Sequence, residues 1–179
     1  MGGFGSGIWK TLDKKATVED CLILSAGKLM SLGRLKPNCS TYNGSLAWTR
    51  TYTGEKIASI GIDTDCGDDS GTVRLYYTCK NAGESVDCRI KIVATPLPWG
   101  GPRWWFICPL TVSGRYCGRR VGKLYLPNGA RYFGCRRCYD LTYTSCQESH
   151  KFDACLAAVG APMGLSAREV GKLLKRAKL

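Results

Sequence analysis

Residues 103–138 read RWWFICPLTVSGRYCGRRVGKLYLPNGARYFGCRRC. Four cysteines punctuate the stretch in two pairs. Cys108-Pro109 is followed after seven residues by Cys117-Gly118, and Cys135-Arg136-Arg137-Cys138 comes seventeen residues later. A Cys-x2-Cys puts two sulfurs on one tight turn, and Gly118 relieves the turn after Cys117. Four thiolates in two such pairs suit tetrahedral Zn²⁺, which takes soft ligands and imposes no geometry of its own. Two antiparallel strands that carry both turns to one ion make a zinc ribbon. A filled four-sulfur site has no position left for water, so the expected ion is structural and not catalytic.

Working upstream, Arg103 to Ile107 leads straight into Cys108 and is expected to be the ribbon's first strand. Residues 121–126 and 130–133 are expected to be its other strands, joined by a Pro127-Asn128-Gly129 turn. Thr95 to Pro102 holds three prolines and two glycines and reads as a stiff linker or sharp corner. Before it, residues 46–52, 56–63, 73–79 and 86–94 carry strand signals. In the last of these, Val86, Cys88, Ile90, Ile92 and Ala94 face one way, and Asp87, Arg89, Lys91 and Val93 the other. This is the period-2 pattern of a half-buried antiparallel meander. Thr17 followed by Glu19 and Asp20 reads as a helix start, and the spacing of Val18, Cys21, Leu22, Ala26, Leu29 and Met30 predicts a helix over 18–32. Beyond Cys138, residues 152–159 form a short helical candidate. Ser166 and Glu169 form a capping box before a stripe of Val170, Leu173, Leu174 and Ala177.

The expected fold is therefore α+β: a flexible Gly-rich arm (1–16), a helix with an antiparallel β-meander (17–95), a four-cysteine zinc ribbon (96–145) and a basic helical tail (146–179). The 179 residues are 44% hydrophobic, enough for one ordinary domain or two small ones. No apolar run is long enough to span a bilayer, and no signal peptide is apparent. The opening Met1-Gly2-Gly3 fits a loose myristoylation pattern, but a Gly-rich arm is the simpler account of it. Eleven cysteines, an odd number, with four at metal spacing, point to a reducing, cytosol-like compartment over a disulfide framework.

Formal net charge is +12, and four thiolates with one Zn²⁺ would bring it to roughly +10. Between Asp87 and Asp140 lies no acidic residue. The same stretch holds Arg89, Lys91, Arg103, Arg115, Arg119, Arg120, Lys123, Arg131, Arg136 and Arg137. Such a run points to a polyanionic partner. Cations interleave with aromatics at Arg103-Trp104-Trp105-Phe106, Arg115-Tyr116 and Arg131-Tyr132-Phe133, the composition that binds phosphates and stacks on unpaired bases. Arg103, Arg115, Arg119, Arg120, Lys123, Arg131, Arg136 and Arg137 are the expected nucleic-acid contacts, with Trp104 or Tyr132 as stacking candidates. Two structural explanations compete. Arg119 or Arg136 could serve as donors to the zinc thiolates, and Trp104, Phe106, Tyr125 and Phe133 could be the core over the metal.

Other constellations stay open at this level. Cys135, Cys138, Cys146 and His150 form a competing ligand set. Cys39, Cys66, Cys79 and Cys88 could make a second metal site or be small buried hydrophobes. With one His in the chain, a His-dependent triad or multi-His centre is nearly excluded. Asp63, Asp65, Asp68 and Asp69 could bind a divalent cation for phosphodiester chemistry, though their Gly-rich spacing reads more simply as a solvated turn.

Residues 100–109, Cys117-Gly118-Arg119-Arg120 with Lys123-Leu124-Tyr125, and Cys135-Arg136-Arg137-Cys138-Tyr139 with Leu141 and Tyr143 resemble a family of uncharacterised bacterial and phage zinc-ribbon proteins. Its members similarly open on a Gly-rich segment like residues 1–7. The resemblance extends to about Asp153. It implies a prokaryotic or phage-infected cytoplasm and supports Cys108, Cys117, Cys135 and Cys138 as ligands, but brings no activity with it. Two functions are expected: a non-catalytic DNA- or RNA-binding protein, or a module that docks on a larger nucleoprotein machine such as a CRISPR effector, transposase or polymerase.

Overall fold

Alternation of apolar and polar residues from Lys56 to Pro96 builds the centre of the molecule, as seen in a computed structural model that describes residues 15–50, 52–79, 83–98, 100–148 and 153–176. Residues 1–14 of the expected Gly-rich arm and His150 lie outside that set. The chain divides into two units, residues 1–141 and 142–179.

In the first unit, β2 (Cys39–Thr49), β3 (Lys56–Cys66), β4 (Ser70–Thr78), β5 (Ser85–Pro96), β6 (Pro102–Ile107) and β9 (Arg120–Val121) form a six-stranded antiparallel sheet in the order β2-β3-β4-β5-β6-β9. One face of β3 to β6 is buried: Ile60, Ile62, Thr64 and Cys66 on β3, Val73 and Leu75 on β4, Val86, Ile90 and Ile92 on β5, and Trp104 and Phe106 on β6. Asp87, Arg89 and Lys91 are exposed, as the period-2 reading requires. Complete burial of one such aliphatic side chain is worth about 1.5–3 kcal/mol.

A second, two-stranded sheet pairs β1 (Leu22–Ser25) with β10 (Lys123–Leu126), Leu24 opposite Leu124. Both leucines join the main core, at 1% and 0% exposure. The Trp48 indole N–H donates to the Ile23 carbonyl at 3.0 Å, and its ring stacks 6.2 Å from Phe133. Thus β1 is tied to the large sheet.

The expected helix over 18–32 is corrected here. Residues 22–25 are strand, and only α1 (Ala26–Ser31) is helical. Ser25 caps it, accepting from the Lys28 N–H at 3.4 Å. Thr17 instead closes a turn, its hydroxyl donating to Asp20 at 2.5 Å while the Asp20 N–H bonds back to the Thr17 carbonyl. The strand expected at 130–133 does not form. That end of the chain makes one bridge, Tyr125 opposite Gly134.

The Thr95–Pro102 segment is a corner. Pro96 lies opposite Pro102, so β6 folds back onto β5. Gly100 and Gly101 take φ of 93° and 77°, which suits glycine. The stretch expected as the ribbon's first strand is thus also the fifth strand of the large sheet. The β3–β4 register ends at Gly61 opposite Tyr76, although β3 runs back to Lys56 and β4 on to Thr78. Their divergence opens a cavity of about 710 Å³ lined by Leu22, Ala58, Ile60, Tyr77, Leu126 and Arg131, among others.

The second unit holds α2 (Thr144–Glu148), α3 (Asp153–Gly160) and α4 (Ala167–Arg176). The capping box forms: Glu169 accepts from the Ser166 N–H at 2.8 Å, and the Glu169 N–H donates to the Ser166 hydroxyl at 3.4 Å. Val170 is buried, and a Cβ on Gly160 would lie 2.8 Å from it. Leu173, expected on the same stripe, is 51% exposed.

Broadly the molecule is α+β: mostly antiparallel sheet, with a few short helices and a cysteine cluster beside the last strands.

Candidate metal centre

Cys108 stands one residue past β6, and Cys117 one residue past β8 (Arg115–Tyr116). The residues between these two cysteines form a hairpin in which β7 (Thr111–Val112) pairs with β8. Three backbone bonds close the knuckle beneath it: Cys117 N–H to Leu110 at 2.8 Å, Cys108 N–H to Arg119 at 2.9 Å and Gly118 N–H to Cys108 at 3.3 Å. Gly118 takes φ of 57° to make that return.

The second knuckle leaves the Tyr125–Gly134 bridge directly into Cys135. Two N–H groups, those of Cys138 and Tyr139, donate to the Cys135 carbonyl at 3.0 and 3.3 Å, wrapping the turn around the sulfurs. Gly134 is required for bulk and not for φ. A Cβ there would lie 2.1 Å from the Leu110 side chain and 2.9 Å from the Tyr139 ring. That position was not singled out from the sequence, where a glycine just before Cys-x2-Cys was the available signal.

The four sulfurs converge. All lie within 4.8 Å of one another, with Cys108–Cys138 and Cys117–Cys135 at 3.8 Å and Cys135–Cys138 at 3.5 Å. A regular tetrahedron with metal–sulfur bonds of about 2.3 Å has edges of about 3.8 Å, so the cage fits a four-coordinate metal. Cys108 and Cys135 are buried at 0% and 2% exposure.

The protons on these sulfurs are unequally held. Burial pushes the Cys108 thiol up to about 11 and raises Cys138 as well. At Cys135 burial also acts upward, but it is outweighed by the Cys138 N–H and by donation from the Cys138, Cys108 and Cys117 thiols. The result is about 7. Within this coupled cluster the neighbouring thiols and the Cys138 N–H favour a thiolate at Cys135, and metal binding would expel the thiol protons. The Cys135 N–H donates to Cys108 Sγ at 3.3 Å. Arg119 donates to Cys117 Sγ at 3.8 Å, and its interactions with Cys135 and then Cys117 raise its own pKa. This is the donor role that competed with phosphate contact for Arg119.

Of the competing ligand set, Cys146 is exposed on α2 and His150 lies outside the described residues. Cys39, Cys66, Cys79 and Cys88 form no metal-holding group among the described residues. Cys39 sits opposite Cys66 across β2–β3, while Cys88 sits opposite Leu75, and Cys79 lies past the end of β4. Among the described residues the Cys108 cluster is the one grouping able to hold a metal. Three of the four acids of the Asp63–Asp69 segment are occupied separately: Asp63 accepts from the Asn43 N–H at 2.8 Å, Asp65 from Ser40 and Asp68 from Asn38, each at 2.5 Å.

All eight expected phosphate contacts, Arg103, Arg115, Arg119, Arg120, Lys123, Arg131, Arg136 and Arg137, are exposed. Arg131 is partly spoken for, since it pairs with Glu84 at 2.8 Å and lies 5.4 Å from the Tyr132 ring. Arg120 donates to the Thr95 hydroxyl at 2.9 Å. Tyr132 is 40% exposed. Trp104 is 1% exposed, so its stacking role is corrected: the inward register of β6 makes it core. Phe106, Tyr125 and Phe133 are buried with it. No helix among the described residues is long and apolar enough to cross a membrane.

Compared with known proteins, the chain matches no family model, no curated sequence and no solved structure.

Proposed function

We propose that the protein is a zinc-stabilised, non-catalytic nucleic-acid-binding protein of the zinc-ribbon kind that its knuckles resemble, working in a prokaryotic or phage-infected cytoplasm. The observation that carries the reading is the acid-free run from Cys88 to Tyr139, whose eight expected contacts are all exposed beside a closed sulfur cage. Cys108, Cys117, Cys135 and Cys138 would hold Zn²⁺, a redox-silent ion that takes four thiolates tetrahedrally in structural sites. Bound there, the ion would supply rigidity and no reaction. The cations would neutralise phosphates, so affinity for DNA or RNA falls steeply with salt. A salt titration of oligonucleotide binding tests this, and an affinity that is flat between about 50 and 200 mM salt refutes it.

The cavity between the diverging ends of β3 and β4 favours a second reading, a module that docks on a larger nucleoprotein machine. Pull-down after nuclease treatment separates the two. A partner retained without nucleic acid supports docking, and loss of every partner supports direct binding.

A further inference from the structure

The sheet turns two faces to its surroundings, and only one is core. On the outer face the register places Thr72 beside Lys91, Arg74 beside Arg89, Val93 beside Trp105, Thr95 beside Arg103 and Ile107 beside Arg120. Side chains at paired positions share a face. Arg89, Lys91, Arg103, Trp105 and Arg120 therefore lie on one surface, spread over β5, β6 and β9. Its sign is positive. Arg74, at its border, is neutralised by Asp87 at 2.5 Å and approached by Asp63 at 3.8 Å. Arg89, Lys91, Arg103 and Arg120 are exposed and pair with no carboxylate among the described residues.

At the centre of this surface Arg103 lies 4.2 Å over the Trp105 ring. Trp105 is half-buried, and Gly122 leaves room beside it: a Cβ there would stand 3.7 Å from the indole. The indole N–H is buried without a hydrogen-bond partner among the described residues. A phenylalanine would avoid that cost. What tryptophan adds is the widest electron-rich face, the best support for a cation. The contact holds the planar Arg103 guanidinium over the indole, with its rotamers already restricted. A guanidinium so placed can take a base on its plane and a phosphate on its edge.

We propose that this outer face of β5, β6 and β9 is the seat of single-stranded nucleic acid, with Arg103 on Trp105 as the base platform and Arg89, Lys91 and Arg120 on the backbone. The inference rests on the nucleic-acid reading above and moves its centre from the knuckles to the sheet. It adds Arg89, Lys91 and Trp105, which the sequence reading had not placed in the binding set.

The test uses the full-length, metal-loaded protein with fluorescein-labelled dT30 and with the same strand annealed to dA30. Three variants are compared with wild type: Arg89→Ser/Lys91→Ser/Arg103→Ser, Arg103→Lys, and the knuckle pair Arg115→Ser/Arg137→Ser. The triple variant is expected to bind dT30 at least about tenfold more weakly at about 150 mM salt, with the logarithmic salt slope reduced by about 2, roughly 0.7 for each lost phosphate neutralisation. Arg103→Lys keeps the charge on an exposed side chain and so spares the fold; it is expected to keep the salt slope and lose at least about fivefold on dT30, and less on the duplex. A triple variant that binds dT30 like wild type, with the loss falling on Arg115/Arg137 instead, overturns this placement and leaves the general function standing. Wild-type protein that binds neither probe, nor an rU30 strand, at about 50 mM salt overturns both. An Arg103→Lys chain as tight as wild type on dT30 overturns the platform.

Discussion

Removing one sulfur from the cage is the sharpest test of the metal centre. Cys135 is the informative position. It is buried, it neighbours Cys117 and Cys138 at 3.8 and 3.5 Å, and it is the thiol whose pKa falls to about 7. Structural Zn²⁺ in a tetrahedral thiolate site binds with an apparent free energy of about 10–16 kcal/mol at neutral pH, so one ligand of four accounts for roughly 2.5–4 kcal/mol. Cys135→Ala should therefore weaken metal binding about 100- to 1000-fold. Because Cys108 and Cys135 belong to the same buried cluster as Trp104, Phe106 and Phe133, the loss should also reach the sheet. The assay is competition with a chromophoric chelator, read beside metal content and a urea melt. Cys21→Ala is the control: Cys21 is buried too, but its sulfur donates to the Thr17 carbonyl. Wild-type metal content and affinity in Cys135→Ala, or an equal loss in Cys21→Ala, would refute the reasoning.

Arg119→Ala should weaken the metal by about 10–100-fold in the same competition, through loss of the donor to Cys117. Gly134→Ala should destabilise the protein by about 1–3 kcal/mol in urea, since the added methyl meets Leu110 and Tyr139. Trp104→Ala should cost about 3–5 kcal/mol by opening a cavity under the last strands, measured the same way. Stability should also fall in alkali through Cys88, whose thiol burial raises from 9.0 to about 11. The folded state holds this proton more tightly than the unfolded state, so the contribution is whole below pH 9 and is lost as pH rises through 11. Its ceiling is about 3 kcal/mol, and solvent access to the half-buried thiol brings it to roughly 1–2 kcal/mol. A urea series from about pH 8 to 11 should show a shallower decline in Cys88→Ala.

Local patterns were legible where the physics is local. The alternation in β5, the capping box at Ser166 and the Cys135–Cys138 turn each rest on a few adjacent residues, and each reappears in space. Residues 18–32 show the opposite case. Leu22 and Leu29 fit a helical stripe, but Leu22 pairs with Leu126 and Leu24 with Leu124, partners no window of local sequence contains. The early start of β2 was hidden by Asn43-Gly44, a dipeptide that suggests a turn. Asn43 takes φ of 54° at a register shift, and a Cβ on Gly44 would strike the Arg34 guanidinium. The double tryptophan was ambiguous for a related reason. Neighbouring residues on a strand point to opposite faces, so Trp104 went to core and Trp105 to the outer face beneath Arg103.

The small β7–β8 hairpin has a practical corollary. Its backbone is sealed from the cage by the Cys117–Leu110 bond, and every residue from Thr111 to Tyr116 is exposed. At its tip Ser113 and Gly114 already bend with φ of 50° and 75°. An epitope or a small fluorophore grafted between those two residues would ride outside the knuckle, a reporter position a few residues from the sulfur cage that leaves the cysteine loop its own length.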